Sequence, residues 1–254
     1  MNMGNYVKRF LQDQVETIEF FTDQSNSLPS DILSSLADTI DEISATSECP
    51  IILLKSGGDK AFCAGASFDE LASITDLEHG KKFFMGFANV ILAMRRSPKI
   101  ILGRIQGKAV GGGVGLASGC DYTFSTTFAS VRLSELAVGI GPFVIGPAVE
   151  RKIGVAAFSQ MALNATEWQT ALWAKDKGLF QEVFETTEQM DAYISHFSKI
   201  LLESNPLALI ELKKVFWERT EHWLTLLPDR AEISGRLVLS EYTRDAISRF
   251  KNTR

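Results

Sequence analysis

Cysteine, histidine and proline are all scarce in this chain of 254 residues, which holds three, three and seven of them. Cys49, Cys63 and Cys120 fall at no C-x-x-C or Cys/His spacing. That excludes a disulfide scaffold and a structural zinc site, and it predicts reduced thiols in an intracellular setting. The histidines, His79, His196 and His222, stand alone in helix-like surroundings, so no Ser-His-Asp arrangement can be assembled. A global basic footprint is also missing, because the formal charge is −5; a nucleic-acid partner is not expected. No apolar run is long enough to span a bilayer, and the polar start has no apolar leader region. The expected address is the cytoplasm, with no membrane partner.

What is present is a large apolar fraction, 45%, enough for one large or two small domains with a substantial core. Val15 to Phe21 reads as a strand. Leu28 to Ile43 places Ile32, Leu33, Leu36, Ile40 and Ile43 at helical spacing, with Ser30 or Asp31 to start it. Pro50 to Ser56 is a short continuous apolar run, as in a strand buried on both faces. A helix is predicted from near Ser67, a second over His79 to Arg95, then a strand over Lys99 to Ile105 and another from Asp121. Beyond about residue 165 the pattern is helical: Thr166 to Lys177, Glu188 to Glu203, Pro206 to Arg219 and Pro228 to Phe250. Strands alternating with helices and followed by helices predict an α/β core with a helical appendage.

One stretch is unusual. Gln106 to Asp121 (Q-G-K-A-V-G-G-G-V-G-L-A-S-G-C-D) packs six glycines directly behind a predicted strand. It is not a P-loop, because Gly107-Lys108 is followed by Ala109. It is not a dinucleotide fingerprint either, because Ser118 stands where the last glycine belongs. A strand, a glycine turn and a helix start remain. Such a turn offers backbone N–H groups and the positive end of a helix to a negative oxygen, which is half of an oxyanion hole. A tight packing turn is the plainer explanation. Ser56 to Leu71 (S-G-G-D-K-A-F-C-A-G-A-S-F-D-E-L) runs the same way, so two amide-presenting turns could meet at one carbonyl.

Together these segments resemble the crotonase (enoyl-CoA hydratase/isomerase) superfamily. Ala61 to Ala66 (A-F-C-A-G-A) is similar to its first signature and Gly107 to Gly113 (G-K-A-V-G-G-G) to its second. Ser134 to Pro142 (S-E-L-A-V-G-I-G-P) resembles a third, with serine in place of the first proline. Ala171 to Val183 resembles a fourth. The resemblance implies a crotonase (ClpP-like) spiral of ββα repeats, with an acyl-CoA core over 1–190 and a helical trimerisation region over 191–254. It implies an acyl-CoA substrate, no separate cofactor, no metal, and a homotrimer or dimer of trimers.

Carried over residue by residue, the resemblance makes Ala66 and Gly112 the backbone donors to the thioester oxygen and Glu135 the acid–base group. Family hydratases generally carry a further glutamate in the helix after the glycine turn; here that position is Gly115. The vacancy implies room for the acyl group, so Gly115 is a substrate-binding candidate. Ser27, Leu28, Ala64, Ser67 and Phe68 are candidates on the coenzyme side. Lys60, Lys213, Lys214 and Lys251 are candidates for its phosphates. Asp69 and Glu70 read as helix-start residues, and Ser134 as a group that orients Glu135. The segment is closest in look to bacterial 3-methylglutaconyl-CoA hydratases. The activity expected is therefore enoyl-CoA hydratase, followed by isomerase, and then by a weakened acyl-CoA-binding protein.

Overall fold

The computed structural model describes residues 4–251, with side chains through 249. The chain opens with a hairpin of β1 (Tyr6–Gln12) and β2 (Val15–Phe21), then β3 (Ser27–Leu28) and α1 (Ser30–Thr46). There follow β4 (Ile51–Ser56), β5 (Ala61–Cys63), β6 (Gly65–Ala66), α2 (Phe68–Ser73) and α3 (Leu77–Arg96). The next repeats are β7 (Ile100–Ile105), β8 (Lys108–Val110) and α4 (Gly112–Gly119), then β9 (Tyr122–Thr126), β10 (Ser130–Arg132) and α5 (Gly146–Leu163). The chain continues through β11 (Gln169–Thr170), α6 (Ala171–Asp176) and β12 (Glu182–Phe184). It ends in α7 (Thr187–Leu202), α8 (Pro206–Phe216), α9 (Trp223–Val238) and α10 (Glu241–Lys251).

The repeat is visible in how strands are shared. Among the described residues one sheet has the order β1-β2-β4-β7-β9-β12, a second β11-β10-β8-β5, and a small third pairs β3 with β6, Leu28 opposite Ala66. Each of the pairs β4/β5, β7/β8 and β9/β10 gives its first strand to the six-stranded sheet and its second to the four-stranded one. Pairing along β2, β4, β7 and β9 is parallel, with Ile51 opposite Ile100 and Leu102 opposite Tyr122. Strands of a parallel sheet are covered on both faces, which is why β4 reads as an unbroken apolar run. On one face Ile18, Ile52, Leu54 and Ile101 pack with α1, α3 and α4. On the other, Ile51, Leu53, Ile100, Leu102 and Phe124 meet Met190, Ile194 and Phe197 of α7. That helix spans the boundary expected at residue 190.

Several expectations shift. Strand β1 was not read from the sequence: its partner register runs through a two-residue turn at Asp13 and Gln14, both at positive φ, in place of the usual Asn-Gly. Leu28 lies in β3, not at the start of α1. Thr166 to Lys177 is not one helix: Gln169–Thr170 pairs with β10, and the Thr170 hydroxyl caps α6 by accepting from Trp173 N–H. The helix expected over Pro228 to Phe250 begins earlier, at Trp223, and breaks at Leu239 and Ser240.

Lys213 is corrected as a phosphate candidate. It is buried on α8 with its Nζ 2.7 Å from Asp121 Oδ2, and Trp217 Nε1–H donates to Asp121 Oδ1 at 2.7 Å. That pair ties α8 to the start of β9, so its charge is already spent inside the fold. Lys214 is paired with Glu211 on the outer face of α8, and the Lys251 side chain lies outside the described residues.

Candidate active site

Two backbone turns meet at the centre of the chain. One leads from β5 to α2 through the short strand β6 (Gly65 and Ala66); the other joins β8 to α4 through Gly111 and Gly112. A Cβ on Gly65 would stand 3.1 Å from Val110 O and 3.7 Å from Gly112 N, so the two turns are in contact. Gly111 has φ 53° and ψ −118°, backbone that a side chain would strain. Its N–H donates to Arg132 O at 2.8 Å, which pins the turn to β10. Gly112 is the first residue of α4, so its N–H has no acceptor within the helix.

Glu135 opens a short 3-10 turn, Glu135–Val138, after β10. Its carboxylate lies over the glycine turn: a Cβ on Gly111 would be 2.8 Å from Glu135 Oε1 and 3.3 Å from its Cδ. Oε2 is buried and has no hydrogen-bond partner among the described residues. Burial pushes the carboxyl's pKa up to about 7, against a smaller lowering from its own backbone N–H. A cavity of about 1070 Å³ opens over these groups and is lined by Ala66, Gly112 and Glu135. Phe83, Phe84 and Phe87 of α3 with Val144 and Ile145 give it apolar lining; Gln24, Ser25, Arg132 and Thr166 give it polar lining.

Of the candidates named from the sequence, Ala66, Gly112, Glu135, Ser27, Ala64 and Phe68 line this cavity. Leu28, Ser67 and Gly115 do not. Leu28 is fully buried core. Ser67 is the N-cap of α2, accepting from Glu70 N–H at 3.3 Å. Gly115 is buried in α4 with no space beside it: a Cβ there would lie 2.5 Å from Ile145 Cγ2 and 2.8 Å from Ile145 Cβ. The reading of Gly115 as room for an acyl group is therefore corrected. Ile145 takes that space and itself lines the cavity.

Asp69 lines the cavity as well, while Glu70 caps α1 by accepting from Ser30 N–H and Oγ–H. Ser134 makes no capping hydrogen bond through its side chain. Lys60 lies in a second groove with Lys108 and Trp168 that shares Ser25, Ala64 and Val110 with the cavity. None of the three histidines lines it, and among the described residues no cluster of three or more His, Cys, Asp or Glu could hold a metal ion.

Sequence reading missed Phe87, Arg132 and Ile145. The run Phe83, Phe84 and Phe87 does carry a signal, since those residues sit on one side of a helix at spacings of three and four. Arg132 carries none: its guanidinium lies over the Trp168 ring at 4.5 Å with Nε buried and unpartnered, and only the fold brings it to the cavity.

The packing of Gly112 makes its own prediction. A Cβ there would overlap the Phe87 ring, so Gly112→Ala should destabilise the chain by about 1–3 kcal/mol through overpacking. Phe87→Leu in the same chain should recover part of that loss in thermal unfolding. If Gly112→Ala alone is as stable as the parent, the ring is not where the structure puts it.

The sequence profile of the enoyl-CoA hydratase/isomerase family matches residues 12–246. The chain belongs to that family. It is 28% identical over 228 residues to a short-chain-enoyl-CoA hydratase of Clostridium acetobutylicum, covering 89% of this chain and 86% of the relative. A peroxisomal Delta(3,5)-Delta(2,4)-dienoyl-CoA isomerase of Arabidopsis thaliana is 25% identical over 77% of this chain and 74% of its own. The mitochondrial methylglutaconyl-CoA hydratase of Rattus norvegicus is 31% identical over 66% of this chain and 53% of its own. The crystal structure of an enoyl-CoA hydratase from Bacillus halodurans superposes with a TM-score of 0.89 over 96% of this chain and 99% of that one, at 21% identity. The α/β fold is the crotonase spiral.

Proposed function

We propose that this family member is an enoyl-CoA hydratase working with one carboxylate. The observation that carries the reading is Glu135, a buried carboxylate whose Oε2 has no hydrogen-bond partner among the described residues and which is set over the glycine turn whose Gly112 N–H is free of the helix. The thioester oxygen accepts from Ala66 N–H and Gly112 N–H. As negative charge grows on that oxygen, the two amides hold it at no cost in reorganisation. Glu135 takes a proton from water as the water oxygen adds to the β-carbon, leaving an enolate. The same carboxyl then returns the proton to the α-carbon, so one group serves both transfers and the sum is one water added. A carboxyl with pKa about 7 suits a group that must accept and then release a proton near neutrality.

Ser27, Ala64 and Phe68 line the approach to the amides and are assigned to the coenzyme arm of the substrate. No further cofactor enters this reading. Arg132, which lines the cavity and whose Nε–H has no partner among the described residues, is assigned to an anionic group of the ligand. A branched, carboxylated enoyl thioester such as 3-methylglutaconyl-CoA is the candidate substrate, supported by the look of the Ser134 to Pro142 segment. The exposed apolar side chains Leu207, Leu212, Val215 and Phe216 of α8 are in keeping with a trimer or a pair of trimers that has the helical end of the chain at the interface; a cytoplasmic location goes with this reading as a separate proposal. Among the described residues no helix is long and apolar enough to cross a membrane.

Ile145 favours one second reading. It puts an apolar side chain where family hydratases generally carry another carboxylate, and a dry site with one base can also move a proton between two carbons, as an isomerase does. The two are separated by incubating the protein with a 2-enoyl-CoA and a 3-enoyl-CoA and following the conjugated absorbance. The hydratase consumes it from the first substrate; appearance of the signal from the second, with no consumption of the first, overturns the hydratase reading. In the hydratase assay, kcat/KM should fall on the acidic side of about pH 7, because the carboxylate form is the one that accepts the water proton.

A further inference from the structure

We propose that Thr243 on α10 is a positioning residue for Glu135: its hydroxyl clamps the 3-10 turn that carries the glutamate and keeps the carboxylate seated over Gly111. The inference rests on the reading of Glu135 as the proton carrier. Thr243 is fully buried, and its Oγ1–H donates to Gly139 O at 3.1 Å. Gly139 closes the turn, with its N–H donating to Leu136 O at 3.0 Å, and the next residue, Ile140, donates to Glu135 O at 3.0 Å. The clamp is thus one residue from a hydrogen bond to Glu135's own carbonyl.

The threonine is held in turn. Ser240, where α9 and α10 part, accepts from Thr243 N–H through its Oγ at 3.3 Å, and the two hydroxyl oxygens are 3.1 Å apart. The contact is close: a Cβ on Gly139 would be 2.5 Å from Thr243 Oγ1 and 2.8 Å from Tyr242 Cδ1. Around it Ile140, Val238 and Ile247 form a small apolar cluster with Phe68, Leu71 and Val138, and Ala246 of α10 lines the cavity beside the turn. A turn this short has few bonds of its own. Without the bond to Gly139 O, α10 would hold the turn by apolar packing alone, and in this proposal that looser seat lets water reach Glu135.

The charged side chains that line the cavity from neighbouring elements are Asp69 on α2, Arg132 on β10 and Arg249 on α10. All three are unchanged in the test, so a change in the titration of turnover reports on the seating of Glu135. In the full chain, Thr243→Val removes the hydroxyl at nearly constant volume. Turnover should fall roughly tenfold, as expected of a small misplacement of a reacting group, with KM within about twofold because the two amides are untouched. The acidic limb of the kcat profile should move to lower pH as water reaches the carboxylate. Thr243→Ser, which keeps the hydroxyl, should behave as the parent.

A Thr243→Val protein with lower thermal stability but a superposable pH profile would make the threonine structural only and end the proposal. Should that variant not fold, Ser240→Ala applies the same test from the other side of the hydroxyl: an acidic limb shifted the same way supports the clamp, and an unshifted limb overturns it. Glu135→Gln in the same assay keeps the two claims apart. If it is active, the reading of Glu135 falls; if it is inactive while Thr243→Val titrates like the parent, only the clamp falls.

Discussion

Glu135→Gln should lower kcat by about 100-fold or more and, at the same time, make the protein harder to unfold above neutral pH. The first half follows from proton transfer: a positioned acid–base group contributes about 100- to 10,000-fold, and glutamine can neither accept the water proton nor return it. The amides of Ala66 and Gly112 are unchanged, so KM should move little. The second half follows from burial. Glu135 titrates near 7 in the folded chain against 4.5 when unfolded, so folding binds a proton more tightly. Below pH 4.5 the carboxyl is neutral in both states and costs nothing. As the pH rises from 4.5 to 7 the unfolded chain gains from ionisation that the folded site resists, and the penalty reaches about 3 kcal/mol and stays there. Glutamine removes it but leaves an amide without a partner, worth about 1 kcal/mol. The net gain near pH 8 is about 2 kcal/mol, or roughly 4–8 °C in Tm for a chain of this size, and it should vanish near pH 4. Thermal unfolding of both proteins across that range checks it. A stability difference that does not grow with pH would mean the carboxylate is solvated, and near-normal turnover would mean it is not the proton carrier.

The turns that line the cavity were legible in the sequence because the chemistry proposed for them is carried by the backbone. An amide donor needs a turn of small residues at a helix start, and Ala61 to Ala66 and Gly107 to Gly113 announce themselves by the side chains they lack. Glu135 was legible for the same local reason, lying within one short motif. The doubly covered strand β4 was read from its unbroken apolar run, Pro50 to Ser56. Features made by pairing distant segments were not. The hairpin strand Tyr6–Gln12 has no clean alternation and an unusual turn, so nothing local marks it. Lys213 looks like any helix lysine until the fold sets Asp121 against it. Ser67 and Leu28 became coenzyme candidates through the family resemblance, yet one caps a helix and the other turns into the core. Gly115 is the most instructive, because a glycine in a sequence shows that a side chain is missing but not whether its space is empty.

That last point can be tested by putting the missing glutamate back. Gly115→Glu should fail on every substrate alike, carboxylated or not, because the obstacle is Ile145 and not the charge of the acyl chain. The first atom of any side chain at 115 falls 2.5 Å from Ile145 Cγ2, with Ile91 Cδ1 3.6 Å away on another side. Overpacking of this kind costs about 1–3 kcal/mol, and a carboxylate forced into a site with no partner adds about as much again or more. Together these should lower Tm by roughly 10 °C or more and leave little active protein. Ile145→Ala in the same chain opens the space on the cavity side. The double variant should regain stability relative to Gly115→Glu and, with its carboxylate now facing the cavity, recover at least about tenfold in kcat/KM for crotonyl-CoA, within the range that an acid–base group supplies. Measuring kcat/KM for crotonyl-CoA and for a carboxylated enoyl-CoA in the parent, both single variants and the double variant isolates discrimination between the two substrates. Equal loss on both in Gly115→Glu, with rescue by Ile145→Ala, is the result the packing requires. A Gly115→Glu protein that is stable and discriminates against the carboxylated substrate would mean that position 115 faces the acyl group, and that Ile145 does not fill its space.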